Sequence, residues 1–121
     1  MVNTNSNSDL PSYLRFIQLV ESIGFMKLSP ELDDIETRLL NKISIDVSIG
    51  KQVLVGQLLA LAQFGSQATI HNRIKSLTAN GYLSLKIDQT DARKKYLVPT
   101  ALAKKRFELL SKALEKAALA R

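Results

Sequence analysis

The sequence predicts a mainly α fold carrying one small β-hairpin, and three observations lead there. Apolar residues recur every three or four positions in five separate segments. Between Tyr82 and Val98 that interval drops to two, the period of a strand with one buried face. Single glycines, Gly24, Gly50, Gly65 and Gly81, fall where one periodic segment gives way to the next.

The first helix is read over residues 12–27, where Phe16, Leu19, Val20, Ile23 and Met26 share one broad face. Pro11 and Ser12 suit its start, and Gly24 lies near its end. Ser29-Pro30-Glu31 then opens a second helix. Ser29 is placed to cap its amides, Pro30 suits a first helical position where no N–H is missed, and Glu31, Asp33 and Asp34 favour the positive end of the dipole. Leu32, Ile35, Leu39 and Ile43 carry its apolar face to about Val47. Residues 51–54 have the length of a short strand, and residues 56–63 form a short helix burying Leu58, Leu59, Leu61 and Ala62.

A turn at Phe64-Gly65 leads to Ser66, which opens a helix over residues 67–80 that Gly81 closes. Leu83, Leu85 and Ile87 then alternate with Ser84, Lys86 and Asp88 as a half-buried strand. A polar loop covers 88–92, a second strand 94–98, and Pro99-Thr100 starts a last helix reaching Leu119. Two short helices about a tight glycine turn, followed directly by a hairpin, make a winged helix-turn-helix. The expected organisation is a disordered tail at 1–11 and one domain over 12–121. Within it, 56–80 is the helix-turn-helix, 82–98 the wing, and 12–27 and 100–119 are flanking dimerisation helices.

Composition narrows the function. With 121 residues and 45% hydrophobic side chains, the chain can close one core. The absence of cysteine excludes disulfides and thiolate metal sites and fits a reducing cytoplasm. Apolar runs are far short of a membrane span, and the Asn/Ser-rich start lacks the basic and apolar stretches of a signal peptide. The net charge of +6 is uneven: residues 1–50 hold four basic and seven acidic side chains, residues 51–121 thirteen and four. A basic half on a small domain points to a polyanionic partner.

The stretch 66–77 supplies a candidate reading helix. Ile70, Ile74 and Leu77 form a narrow inward stripe, while Ala68, Asn72, Lys75 and Ala79 face outward, flanked by Thr69, His71 and Ser76. A face this slim can enter the major groove. Its N-terminal half points at bases, so Ser66, Gln67, Ala68, Thr69, His71 and Asn72 are the DNA-binding candidates there, with Lys75 placed for phosphate. The competing reading is an ordinary amphipathic helix with a solvated face. His71 is the sole histidine, and one imidazole cannot build a transition-metal site unaided. Arg73 either reaches a phosphate or pairs with an acid of its own domain. Arg93, Lys94 and Lys95 follow the hairpin loop, where Arg93 can enter the narrow minor groove. In isolation such a run is usually a solvated cluster.

The stretch 66–81, then Asp91-Ala92-Arg93, then Leu97-Val98-Pro99-Thr100, resembles the MarR family of transcriptional regulators. The resemblance covers residues 30–118. It implies a homodimer on a pseudo-palindromic operator, with Arg93 at the minor groove and Asp91 orienting the wing. Ala103 stands where the family often has glycine.

Dimerisation is also read from the residues. Ala103, Phe107, Leu110, Leu114 and Ala117 repeat at intervals of four and three, a short heptad-like seam. A winged helix closes without its first and last helices, so their apolar faces are surplus and pair across a two-fold axis through Phe16, Val20, Ile23, Phe107, Leu110 and Leu114. The alternative is packing on their own domain. The leading function is a sequence-specific regulator of transcription that binds double-stranded DNA. Others are a plasmid or phage replication or partition factor, and a winged-helix module for protein contact. With one histidine, no cysteine and no glycine-rich phosphate loop, no catalytic site or cofactor is read, and no small-molecule effector is assigned.

Overall fold

The computed structural model describes residues 9–24, 28 and 30–119. Its helices are α1 (Ser12–Ile23), α2 (Asp34–Ser48), α3 (Val55–Leu59), α4 (Gln67–Ala79) and α5 (Ala101–Leu119). Its strands are β1 (Val53–Leu54), β2 (Leu83–Ile87) and β3 (Lys95–Pro99), and a 3-10 turn covers Ala62–Phe64. The chain divides into two compact units. One spans Leu32–Lys104, and the other joins the described residues before Leu32 to those from Lys105 onward.

In the Leu32–Lys104 unit, Leu39, Leu40 and Ile43 of α2 meet the helix-turn-helix and the sheet, with Ile70 and Leu77 of α4 and Leu83 and Leu97 of the hairpin as fully buried as they are. Burying a side chain of this size contributes about 1.5–3 kcal/mol. The sheet is antiparallel in the order β1-β3-β2. Val53 pairs with Leu97 on one edge of β3, and Leu85 pairs with Leu97 on the other. The short stretch before α3 therefore anchors the base of the hairpin to the helix-turn-helix.

Several expectations are corrected. Helix α2 starts at Asp34, capped by Asp33, and not at Ser29-Pro30; Ser29 itself lies outside the described residues. The Asp33 carboxylate accepts from the Glu36 amide at 2.7 Å, and the Glu36 carboxylate accepts from the Asp33 amide at 2.9 Å. This reciprocal box satisfies two otherwise orphaned donors, where a lone serine would satisfy one. The helix expected over 56–63 is broken into α3 and the 3-10 turn. Leu58 is buried, Leu59 and Leu61 are half-buried and Ala62 is exposed. Phe64, read as a mere turn residue, is buried, with the Arg38 guanidinium 5.0 Å from its ring centroid. In β2 only Leu83 is buried; Leu85 is 44% and Ile87 58% exposed. Ser84, between Leu83 and Leu85, is half-buried, so the expected alternation of burial is lost after Leu83: the hairpin outruns the core it covers.

In the second unit, the Arg15 guanidinium donates to the Ala117 carbonyl at 3.0 and 3.1 Å and to the Leu10 carbonyl, tying α1 to the end of α5. Residues 1–8 of the expected tail, and residues 25–27 of the expected first helix, lie outside the described residues. Ala117 is fully buried, and so is Ala103 in the other unit, which removes both from any free seam along α5. Phe16, Val20, Ile23, Phe107 and Leu110 are half-buried, and Leu114 is 56% exposed. Among the described residues no helix is long and apolar enough to cross a membrane.

Candidate nucleic-acid interface

Helix α4 is set by its own sequence and then bolted in place. The Ser66 hydroxyl accepts from the Thr69 amide at 3.1 Å and donates to the Thr69 hydroxyl at 3.0 Å. The chain enters this cap through Gly65, whose φ of +126° disfavours any side chain and whose added Cβ would lie 3.3 Å from Thr69 Cγ2. Beyond the helix, Gly81 takes a φ of +86° and reverses the chain into β2. Ile70, Ile74 and Leu77 turn inward and are buried. Gln67, Ala68, His71, Asn72 and Lys75 are exposed on the other side, with Ser66 exposed and Thr69 half-buried.

Two polar contacts join α4 to the start of α2. The Arg73 guanidinium meets the Asp33 carboxylate at 2.7 Å, and the Ser76 hydroxyl donates to Glu36 at 2.7 Å. Of the two roles open to Arg73, pairing within its own unit is the one observed. Glu36, only 7% exposed, is satisfied by the Asp33 amide and the Ser76 hydroxyl. The Glu36 amide, and then the Arg73 charge, hold the Asp33 carboxyl below its ordinary value. A depressed carboxyl lends its stabilisation above its ordinary value and loses it as pH falls through the lowered one. The Arg73 pairing was one of its two readings, though without a named acid; the Ser76–Glu36 bond and the capping box were not anticipated. The Asp33-x-x-Glu36 spacing was the available signal, because it is the sequence mark of a capping box.

The wing loop is ordered by two aspartates. Asp88 Oδ1 accepts from the Thr90 hydroxyl at 2.7 Å, the Thr90 amide at 2.8 Å and the Asp91 amide at 3.2 Å. Asp91 Oδ1 accepts from both the amide and Nε of Arg93 at 3.1 Å. The Arg93 side chain and then its amide hold the Asp91 carboxyl below its ordinary value. The guanidinium itself is 92% exposed, so it is aimed by its neighbour yet open to a partner. Lys94 and Lys95 are exposed beside it. Arg93→Ala should therefore leave the far-UV circular dichroism unchanged. Where a DNA duplex is the partner, it should lower the salt dependence of binding by about one phosphate contact, a slope change near 0.9. Unaltered affinity across several salt concentrations would leave Arg93 a solvated charge.

A groove of about 450 Å³ separates α4 from the wing, bordered by Val55, His71, Ile74, Lys75, Leu85 and Lys95. Among the described residues no group of three or more His, Cys, Asp or Glu is placed to hold a metal ion.

The sequence matches no protein-family model and no curated protein sequence. The backbone is similar to solved structures. The transcriptional regulator Tm0710 of Thermotoga maritima superposes with a TM-score of 0.61 at 19% identity, over 87% of this chain and 66% of that one, so this chain spans just under two thirds of that protein. A MepR variant of S. aureus bound to an oligodeoxyribonucleotide superposes with a TM-score of 0.63 at 13% identity, over 88% of this chain and 70% of that one. The haem sensor PefR of Streptococcus agalactiae, in complex with haem, gives 0.57 at 21% identity, over 99% and 81%. Capped α4, its glycine turn, the three-stranded wing and these superpositions agree on one architecture: the chain has a MarR-like winged helix-turn-helix fold.

Proposed function

We propose that the chain is a sequence-specific regulator of transcription that binds double-stranded DNA as a homodimer, with α4 in the major groove and the wing at the minor groove. The observation that carries this reading is the outward face of α4. Gln67, Ala68, His71, Asn72 and Lys75 are all exposed, slim or polar, on a helix held rigidly from behind by Asp33 and Glu36. Gln67 and Asn72 have the geometry to pair bidentately with adenine, Ala68 and Thr69 offer methyls to thymine, and Ser66 and Lys75 stand toward phosphate. Arg93, Lys94 and Lys95 supply charge from the wing. A like-folded transcriptional regulator and a like-folded protein bound to an oligodeoxyribonucleotide support the same reading. It is a binding role and not a catalytic one, exercised in the compartment that holds the DNA, the cytoplasm.

Selection of bound duplexes from a random pool tests it. The expected product is a half-site repeated about a two-fold axis, lying near promoters. Enrichment near replication origins would assign a replication or partition role. Absence of any enriched sequence, with no salt-dependent binding to mixed DNA, would leave a module for protein contact.

The dimer rests on the second unit, where Leu114 and its half-buried companions Leu110, Phe107, Phe16, Val20 and Ile23 offer an apolar face. Sedimentation equilibrium at micromolar concentration should give a dimer. Replacing Leu110 and Leu114 together by Glu should give a folded monomer, because two charges would enter a desolvated surface. A monomeric parent chain would refute the proposal.

A further inference from the structure

One glycine has no explanation within the fold. Gly56 sits in α3 with an ordinary negative-side backbone, and a Cβ built on it meets nothing within 4 Å. Neither a left-handed turn nor a tight contact requires it, and glycine is a poor choice inside a helix. Gly56 lines an open cleft of about 490 Å³, whose near wall is Leu54–Gln57 and whose far wall is Arg93, Lys94 and Lys95. All three basic side chains are exposed, and Arg93 is paired with Asp91. Val55 and Lys95 also border the groove beside His71 and Lys75 of α4, so the two depressions share a wall.

A glycine without internal need, opposite three adjacent cations, fits a place where another molecule's backbone comes close. We infer that this cleft seats a DNA backbone phosphate, held by Lys94, Lys95 and the Gln57 amide group, and that Gly56 leaves the clearance for the sugar-phosphate chain to lie against α3. The inference rests on the DNA-binding reading and adds to it a grip shared between the helix-turn-helix and the wing. The wing then contributes at two places: Arg93 at the groove and the lysines at its base. A phosphate contact of this kind carries no sequence information, so it strengthens specific and non-specific binding alike.

Gly56→Ala separates the idea from a structural role. Alanine fits the free protein, so the thermal midpoint should hold or rise. Affinity for the selected duplex and for a scrambled one should fall together by about tenfold, the equivalent of one lost charge-assisted contact. Gly56→Leu should weaken both further, and Lys95→Ala should lower the salt slope by about 0.9. Inorganic phosphate is the control for a free anion. If it stabilises the parent but not Gly56→Ala, beyond sodium chloride at equal ionic strength, while DNA affinity is unchanged, the cleft belongs to a small ligand and the inference fails. If the parent binds DNA with steep salt dependence and Gly56→Ala and Gly56→Leu bind equally well, the inference falls while the DNA reading stands. A parent that binds no DNA overturns both.

Discussion

Asn72→Ala should weaken binding to the preferred duplex by roughly 1–3 kcal/mol and leave binding to scrambled DNA nearly unchanged. Asn72 is exposed on the outward face of α4, two residues past buried Ile70 and two before buried Ile74. A side chain there reaches a base edge if the helix lies in the major groove, and its amide can then make two hydrogen bonds to one adenine. Removing it leaves that base unread while the phosphate contacts persist. Lys75→Ala is the counterpart. Lys75 is exposed one turn onward, and its loss should weaken both duplexes by nearly the same factor, since phosphates are alike in every sequence. The check is a paired titration of each variant against the two duplexes at fixed salt. Equal losses for Asn72→Ala on both would transfer specificity to Gln67, Thr69 and His71. No effect of either variant on either duplex would remove α4 from the DNA surface.

Leu77→Ala should cost about 2–5 kcal/mol of folding stability, the range for deleting a fully buried leucine side chain. Leu77 is 0% exposed and belongs to the three-residue stripe that mounts α4 on the core. Its carbonyl also receives the Tyr82 amide at 2.9 Å, closing the turn into the wing. The cavity would therefore open where α4 passes into the hairpin, and relaxation there would move both elements of the proposed interface. Urea denaturation should show a lower midpoint with an unchanged slope. DNA affinity should fall even at temperatures where the variant is fully folded. A loss under about 1 kcal/mol would mean that neighbouring side chains collapse into the space, and that α4 is mounted mainly by Ile70 and its polar ties to α2.

Local rules sufficed wherever an element is defined by its own residues. The Ser66 cap, the inward stripe of Ile70, Ile74 and Leu77, and the reversal at Gly81 follow from spacing, hydroxyl capping and the permissive backbone of glycine. They placed α4 to within one residue of its end. The change of period after Gly81 likewise marked the hairpin, and the polar turn with Asp91 and Arg93 marked its tip. The charge asymmetry and the slim outward face of α4 pointed to the candidate interface without any knowledge of packing.

What remained open depended on partners distant in the chain. Arg73 had two equal readings until Asp33, forty residues away, stood 2.7 Å from it. Nothing in the local sequence says that Glu36 is buried, yet the approach of Ser76 buries and satisfies it. Leu85 and Ile87 have the pattern of buried strand residues but stay exposed, because alternation says which face a residue occupies and not how far the opposing layer extends. Ala103 and Ala117 carry the heptad spacing yet are consumed inside the single chain, so spacing alone could not say which apolar positions are free to meet a second copy. Periodicity and capping act over a few residues and are written in the local sequence. Burial, ion pairing and the clearance around Gly56 are set by which distant elements come together, and only the tertiary structure decides that.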